Sequence, residues 1–204
     1  MSIANQEMIR DNNRRLVLEY LVNHPPVSRA ELAKQLNLTK ATISNIVQDL
    51  LQQNLVLEIG SAKTAMGRKP ILLEFQKNCG YALAIDVRPN QIITLAANLK
   101  GENCKVQEYA FYQDQELLSL LKEIIAGQIA KYSHTPYGIV GIAVGIYGVV
   151  NNNRILFTPY YPLPQPDLGQ ILEDIFHLPV IVENESNFSV LGESNAPFIL
   201  DIKI

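Results

Sequence analysis

The chain opens with apolar residues at helical spacing and later turns to segments in which apolar and polar residues alternate. Two interleaved apolar series predict a first amphipathic helix from about residue 5 to residue 23. They are Met8, Leu16 and Tyr20, and Ile9, Val17 and Leu21. His24, Pro25 and Pro26 end this helix, since proline cannot continue it. We expect it to serve as scaffold for the segments that follow.

A second helix is predicted to begin at Ser28 and to run to about Leu36. Ser28 and Glu31 have the spacing of a capping box, in which the hydroxyl accepts a hydrogen bond from an early helix amide and the carboxylate reaches back. The segment 37–38 then forms a turn, and Thr39 can cap a third helix. Two short helices joined by so tight a turn are typical of a helix-turn-helix.

The third helix is predicted to have one apolar and one polar face. Its inward stripe consists of Ile43, Ile46, Val47 and Leu50. The side chains left outward on its first turns are Lys40, Ala41, Thr42, Ser44 and Asn45. Side chains of this kind suit the major groove of DNA, because asparagine pairs with adenine and a small apolar group contacts the thymine methyl. An ordinary solvated surface helix is the alternative interpretation.

A basic hairpin is predicted after the third helix. Apolar segments at 55–59 and 71–75 read as paired strands, and the loop from Gly60 to Pro70 between them carries Lys63, Gly67, Arg68 and Lys69. Gly67 allows close backbone approach, and an extended Arg-Lys-Pro segment can lie in a narrow minor groove, whose negative potential attracts arginine. The loop is therefore predicted to be the wing of a winged helix-turn-helix, with a solvated hairpin tip as the alternative.

Together these segments predict duplex DNA as a partner. The start of the second helix adds Ser28 and Arg29, where free helix amides suit a phosphate. The candidate DNA-binding residues are Ser28, Arg29, Thr39, Lys40, Ala41, Thr42, Ser44, Asn45, Lys63, Gly67, Arg68 and Lys69.

The distribution of charge along the chain agrees with contact between residues 1–78 and DNA. Residues 1–78 carry 10 Lys and Arg against 7 Asp and Glu, whereas residues 79–204 carry 7 against 13. The net charge of −3 hides this asymmetry. So small a basic excess would not identify a DNA-binding protein by itself, but it indicates which part of the chain approaches phosphate.

Composition excludes several other classes of protein. With 48% hydrophobic and 18% charged residues, the 204-residue chain can bury a core, and two domains are expected. No apolar run reaches the roughly 18 residues of a membrane span, and the polar start lacks the pattern of a signal peptide, so we expect a cytoplasmic protein with no membrane partner.

Cys79 and Cys104 predict neither a zinc site nor a disulfide; two buried free thiols and no cofactor are expected.

The back half of the chain predicts an α/β fold. Strand-like segments at 81–87, 91–98 and 105–111 precede a helix at about 114–132 and a buried apolar strand at 138–144. Three strands, a helix and a further buried strand match the first lobe of an actin-like, ribonuclease H-like fold. The predicted fold class is therefore an N-terminal winged helix-turn-helix followed by such a lobe.

Several motifs resemble the ROK family of sugar-operon repressors and sugar kinases. They lie at 26–33, 40–44 and 67–70 in the front half, and at 141–150 and 178–187 in the back half. The resemblance implies a winged helix-turn-helix DNA-binding domain at residues 1–78 and an incomplete ROK-type sugar-kinase-like lobe at 79–204. It implies a homodimeric transcriptional repressor of carbohydrate-utilisation genes, responsive to a monosaccharide or related small molecule, and not an enzyme.

Departures from the family pattern argue against a kinase. ROK kinases hold the ATP phosphates with an Asp-x-Gly-Gly-Thr loop, where this chain reads Asp86-Val87-Arg88-Pro89-Asn90; proline has no amide hydrogen and both glycines are absent. Glu185 stands where the family's Asn-Asp-x-Asn motif has its catalytic aspartate. Asn184 and Glu185 are candidate contacts for sugar hydroxyls; alternatively, Glu185 and Asn187 cap the following helix.

The final segment, 197–204, alternates like the opening strand of a second lobe. Full-length relatives would continue through that lobe, so we expect half of the sugar cleft to be missing and an apolar surface to be exposed. A ROK protein that binds DNA or a paralogue without sensing sugar is therefore the alternative function, and a carbohydrate kinase is less favoured than either.

Overall fold

A computed structural model of the chain describes residues 3–61, 70–112, 116–162 and 165–193. The chain divides into two compact units, the first ending at Lys77 and the second beginning at Asn78. None of the helices in the described ranges is long and apolar enough to cross a membrane.

The first unit contains three helices and a small antiparallel sheet. Its elements are α1 (Ile3–Asn23), β1 (Val27–Ser28), α2 (Arg29–Gln35), α3 (Lys40–Gln52), β2 (Val56–Ser61) and β3 (Ile71–Phe75). The sheet has the order β1-β3-β2. The three predicted helices and the hairpin strands are confirmed, and the fold is a winged helix-turn-helix. Strand β1 was missed by the sequence pattern because two residues are too few to show alternation.

Local capping explains where the helices of this unit begin. The Ser28 hydroxyl accepts a hydrogen bond from the backbone amide of Glu31 at 3.3 Å, and Thr39 Oγ1 accepts one from the amide of Thr42 at 3.1 Å. Asn37 adopts a left-handed conformation with φ of 52°, which asparagine tolerates better than most residues, and so turns the chain between α2 and α3. The left-handed conformation of Asn37 therefore explains the short turn predicted from the sequence.

The core of the first unit lies between α3, α2 and the sheet. The predicted inward stripe of α3 is fully confirmed, since Ile43, Ile46, Val47 and Leu50 are all buried. The apolar series of α1 is only partly confirmed: Val17 and Leu21 are buried, whereas Met8, Ile9 and Leu16 are exposed. Helix α1 therefore contributes to the core mainly through its C-terminal half.

The second unit is built around a five-stranded mixed sheet. Its elements are β4 (Gly80–Arg88), β5 (Gln91–Asn98), β6 (Lys105–Ala110), α4 (Leu117–Tyr132), β7 (Gly138–Ile146), β8 (Val149–Asn151), β9 (Arg154–Phe157), α5 (Leu168–Phe176), β10 (Val180–Asn184) and α6 (Glu185–Glu193). The sheet order is β10-β7-β4-β5-β6. Strands β10, β7 and β4 run parallel, and β4, β5 and β6 are antiparallel. This is the ribonuclease H-like lobe predicted from the order of elements.

Helix α4 covers one face of this sheet. Its apolar side, including Leu121 and Ile125, packs in one core with Leu83 and Ile85 of β4 and with Val144 of β7. Strands β8 and β9 form a separate antiparallel ribbon. The buried core therefore lies on the α4 side of the sheet, and the carboxyl ends of β4, β7 and β10 meet at one edge.

The two cysteines differ in burial, which corrects one sequence-based expectation. Cys79 is buried as expected, but Cys104 is exposed. Cys104 lies in the connection after β5, where nothing in its local sequence distinguishes a core position from a surface one. Burial raises the pKa of the Cys79 thiol to about 11, so this thiol stays protonated at neutral pH.

We predict that only Cys104 reacts readily in the folded chain. The thiolate is the nucleophile, so iodoacetamide near pH 8 should label Cys104 quickly and Cys79 slowly, with both labelled in urea. Peptide mass spectrometry after timed labelling measures the two rates. Cys104→Ser is the control and should abolish the fast reaction; equal rates for the two thiols in the folded protein would contradict the burial of Cys79.

Candidate nucleic-acid interface and ligand site

Helix α3 presents a polar face opposite its buried stripe. Lys40, Ala41, Ser44 and Asn45 are exposed and Thr42 is half-buried. Lys40 is the first residue of the helix, and its side chain makes no ion pair or hydrogen bond with the residues that the structure describes. Because the buried stripe fixes the rotation of α3 against the core, these side chains are held on one outward surface.

The hydroxyl groups of Thr39 and Thr42 are already used at the start of this helix. Thr39 Oγ1 accepts the Thr42 amide and lies 2.9 Å from Thr42 Oγ1. The Ser28 hydroxyl is used in the same way at the start of α2. These three predicted DNA contacts therefore position their helices, while Ser44 and Asn45 make no hydrogen bond among the described side chains.

The structure places Arg29 in an ion pair that the sequence did not indicate. Its Nη2 lies 2.7 Å from Oε1 of Glu58 on β2, and the two side chains are 32% and 39% exposed. Their separation of 29 positions along the chain hid the pair from motif reasoning. The positive charge of Arg29 is therefore partly offset by Glu58 before any phosphate approaches.

The strands on either side of the predicted wing are paired. Strands β2 and β3 are antiparallel, with Leu57 opposite Glu74, and the register shifts near Gly60 at a φ of 52°. The predicted wing residues themselves lie outside the described residues: Lys63, Gly67, Arg68 and Lys69. The hairpin that would carry a wing is thus present.

A second candidate site lies at the carboxyl ends of β4 and β7, in the second unit. Asp86 Oδ2 accepts a hydrogen bond from Arg88 Nε at 2.7 Å, and this pairing raises the pKa of Arg88. Asp86 Oδ1 is buried and has no partner among the described residues. Tyr147 lies nearby, and burial, with added effects of Asp86 and Glu185, raises the pKa of its phenol. The site therefore combines two carboxylates, one guanidinium and a neutral phenol.

The turn after β4 differs from a phosphate-binding loop. Arg88 pairs directly with Gln91 across the hairpin, which leaves Pro89 and Asn90 as the whole connection. The Asn90 carbonyl accepts a hydrogen bond from the Phe111 amide at 3.2 Å. Within this turn Pro89 has no amide hydrogen to offer a phosphate, which agrees with the sequence argument against a kinase.

Asn184 and Glu185 have different surroundings. Asn184 Nδ2 donates to the Gly148 carbonyl at 2.6 Å, and its Oδ1 accepts the Ser186 amide at 2.8 Å, so both halves of its amide are engaged. Glu185 Oε1 accepts a hydrogen bond from Ser186 Oγ at 3.0 Å and lies at the wall of a cavity. The side-chain acceptor at the start of α6 is thus Asn184, and not Glu185 or Asn187 as in the capping alternative.

The cavity occupies about 650 Å³ on the face of the sheet opposite α4. Most of its wall is apolar, and its polar end consists of Asp86, Arg88, Tyr147 and Glu185. In the described part of the chain this face is open, which agrees with the expectation that an apolar surface is exposed. Motif reasoning missed the cavity, although the alternation of small and large residues in Ala82-Leu83-Ala84-Ile85 indicates two unlike faces.

Comparisons with known proteins agree with both units. A family model described as ROK family matches residues 82–197, and one described as MarR family matches residues 12–63. The xylose repressor of Bacillus spizizenii is 33% identical over 196 residues, which are 95% of this chain and 51% of that protein. The xylose repressor of Caldicellulosiruptor bescii is 33% identical over 94% of this chain and 49% of its own length.

Among solved structures, a ROK family transcriptional regulator described as a homologue of the E. coli MLC protein superposes with a TM-score of 0.68. It is 22% identical, and the match covers 91% of this chain and 48% of that one. At this identity the similarity supports the fold alone. The chain spans about half the length of the relatives it matches.

Proposed function

Because the chain belongs to the ROK family, we propose that it is a DNA-binding transcriptional repressor of carbohydrate-utilisation genes. The observation that carries this proposal is the exposed polar face of α3, held by a buried stripe within a helix-turn-helix and followed by a hairpin. Relatives named xylose repressor make sugar-utilisation genes the expected targets.

In the proposed complex, α3 lies in the major groove of DNA. Ser44 and Asn45 read base edges, and Ala41 contacts a thymine methyl. Lys40 contacts a phosphate next to the helix N-terminus, where the helix dipole adds to its charge. As a homodimer, the protein would place two α3 helices on half-sites roughly 34 Å apart.

The remaining DNA contacts are proposed to be backbone contacts. Lys63, Arg68 and Lys69, with Gly67 allowing close approach, would follow the minor groove beside the half-site. Arg29 contributes less than a free arginine would, because Glu58 already partners it. Ser28, Thr39 and Thr42 act mainly by fixing the starts of α2 and α3.

We predict that DNA binding depends on the amide of Asn45 and not on amides elsewhere along α3. Asn45→Ala should weaken binding to the operator by about 5-fold to 160-fold, since a good bidentate base contact is worth roughly 1–3 kcal/mol. Gln52→Ala is the matched control, since Gln52 is exposed on the last turn of α3, and should change binding by less than about twofold.

Fluorescence anisotropy with duplexes from the gene's own neighbourhood, at about 150 mM salt, measures both variants. A random duplex of equal length is the reference for non-specific affinity. If the unmodified chain bound the promoter no better than the random duplex, the proposed function would be wrong.

We further propose that the site beside Glu185 binds a monosaccharide or a related small molecule. The Glu185 carboxylate would accept hydrogen bonds from sugar hydroxyls, while Asn184 holds the start of α6 through Gly148 and Ser186. Xylose is the first candidate, from the names of the relatives. Release of DNA by millimolar sugar, lost in Glu185→Gln, would support this effector site; sugar-insensitive binding would favour a repressor that does not sense sugar.

A further inference from the structure

One ion pair joins the first helix of the helix-turn-helix to the hairpin that follows it. Arg29 is the first residue of α2, Glu58 lies in β2, and Arg29 Nη2 is 2.7 Å from Glu58 Oε1. The sheet register explains how they meet. Leu73 of β3 is opposite Val27 of β1 on one side and opposite Glu58 of β2 on the other. The start of α2 and the middle of β2 are therefore held at the same level of the sheet.

Glu58 lies on the face of the hairpin that the core covers. Side chains two positions apart on a strand share a face, so Glu58 is on the same face as Val56. Val56 and Leu73 are buried, whereas Glu58 is exposed at the border of the core. Because α2 packs against this face, the carboxylate is directed toward the Arg29 guanidinium.

The guanidinium of Arg29 has two competing partners. In a helix-turn-helix the first helix crosses the DNA backbone, so a phosphate contact is expected from the start of α2. Carboxylate and phosphate both bind the planar fork of arginine, and each does so through the same N–H groups. Arg29 can therefore bind a phosphate fully only if it leaves Glu58, and the Glu58 carboxylate would then lie near a second negative charge.

The pair is expected to influence DNA binding more than folding. Both side chains remain partly exposed, and exposed ion pairs contribute little to folding stability. A single phosphate contact, in contrast, changes the slope of log affinity against log salt concentration by about 0.9. Loss of the Glu58 charge should therefore be measurable in DNA binding even where the stability of the first unit hardly changes.

We propose that Glu58 limits the affinity of the chain for DNA phosphates by holding Arg29 away from them. This inference rests on the proposed function and deepens it, because it names a residue that sets the strength of the DNA contact. Phosphate contacts carry no information about base sequence, so the limit applies to operator and random DNA alike. Base contacts from α3 then supply a larger share of the binding free energy.

Salt titrations of DNA binding test this role. Glu58→Gln keeps the size of the side chain and removes its charge, so it should tighten binding by about fivefold or more near 50 mM salt. It should also steepen the salt slope by about 0.9, so the gain falls about 3.5-fold between about 50 and about 200 mM. Asp167→Asn is the matched control, because it breaks another 2.7 Å pair, with Arg154 in the second unit, and should leave the slope unchanged.

Variants of Arg29 identify the cation responsible. Arg29→Gln alone should change the slope by less than about 0.3, because Glu58 already occupies that guanidinium. In the Glu58→Gln background, Arg29→Gln should remove the whole increase in slope, whereas Arg29→Lys should keep it, since lysine also binds phosphate. Fluorescence anisotropy measures each affinity, and thermal unfolding followed by circular dichroism shows that each variant is folded.

The slopes are measured on an operator duplex and on a random duplex of equal length. An unchanged slope for Glu58→Gln would overturn the proposal. A loss of about 0.9 for Arg29→Gln alone would also overturn it, since Arg29 would then contact phosphate despite Glu58. If the unmodified chain prefers the operator but the slopes do not shift, only this inference fails. If it shows no such preference, the proposed function fails, whatever the slopes on random DNA show.

Discussion

Gly148→Ala is expected to destabilise the second unit by about 3 kcal/mol or more, because the added methyl group has no room. A Cβ at Gly148 would lie 2.1 Å from the backbone carbonyl oxygen of Phe157 and 3.1 Å from its carbon. Phe157 pairs with Val149 in the β8–β9 ribbon, so its backbone cannot move away without breaking that pairing. The Gly148 carbonyl also accepts the hydrogen bond from Asn184, which couples the clash to the candidate ligand site.

Urea unfolding followed by circular dichroism measures this effect, with Gly127→Ala as the matched control. Gly127 lies on an exposed turn of α4, and no neighbouring atom lies within 4 Å of an added Cβ. Alanine there should stabilise the unit by about 0.5–1 kcal/mol, since glycine is the poorer helix former. The packing described for Gly148 would be wrong if its alanine variant unfolded at the same urea concentration as the unmodified chain.

Asn153→Ala is expected to destabilise the second unit by about 2–4 kcal/mol, because it removes two hydrogen bonds from the outer edge of β10. The Asn153 side chain donates to the Val180 carbonyl at 3.2 Å and accepts from the Val182 amide. The Asn153 side chain thus makes two of the hydrogen bonds that a neighbouring strand would make with β10, which is the edge strand of the sheet. Its loss would leave two backbone groups of β10 without these partners.

Asn152→Ala separates this effect from backbone strain. Asn152 and Asn153 both have left-handed backbone, with φ of 48° and 66°, so alanine carries a similar conformational cost at each position. The difference between the two variants in free energy of unfolding should therefore be about 2 kcal/mol, and it reports the edge contacts. Asn153→Asp keeps the acceptor for Val182 but loses the donor to Val180, so it should fall between the two. Equal unfolding free energies for Asn152→Ala and Asn153→Ala would contradict the edge role.

Periodicity was sufficient to predict the three helices and the hairpin strands of the first unit and the elements from β4 to β7 of the second, but not β1, β8, β9, α5 or β10. The stripe from Ile43 to Leu50 on α3 and the strand segments around β4 and β5 reflect local spacing, which the chain carries in its sequence. The capping hydroxyls of Ser28 and Thr39 are equally local, because donor and acceptor lie three residues apart. Such features depend only on neighbours along the chain.

Features that depend on distant partners could not be predicted in this way. The pairing of Arg29 with Glu58 and the contacts of Asn153 with β10 join residues about 30 positions apart. The hydrogen bond from the Asn184 amide to the Gly148 carbonyl likewise joins residues far apart in the sequence, and it fixes the orientation of a candidate sugar contact. A motif identifies which side chains are present, but only the fold determines which of their polar atoms are still free.

The two-residue turn at Pro89 and Asn90 also bears on the evolutionary history of the lobe. The segment Asp86-Val87-Arg88-Pro89-Asn90 has as many residues as the Asp-x-Gly-Gly-Thr loop, so the two differ by substitution and not by length. Proline at position 89 removes a backbone amide hydrogen, and arginine at position 88 adds a side chain that pairs with Asp86 at 2.7 Å. Single-residue changes are therefore enough to separate a phosphate-binding loop from a hairpin whose aspartate already has a cationic partner.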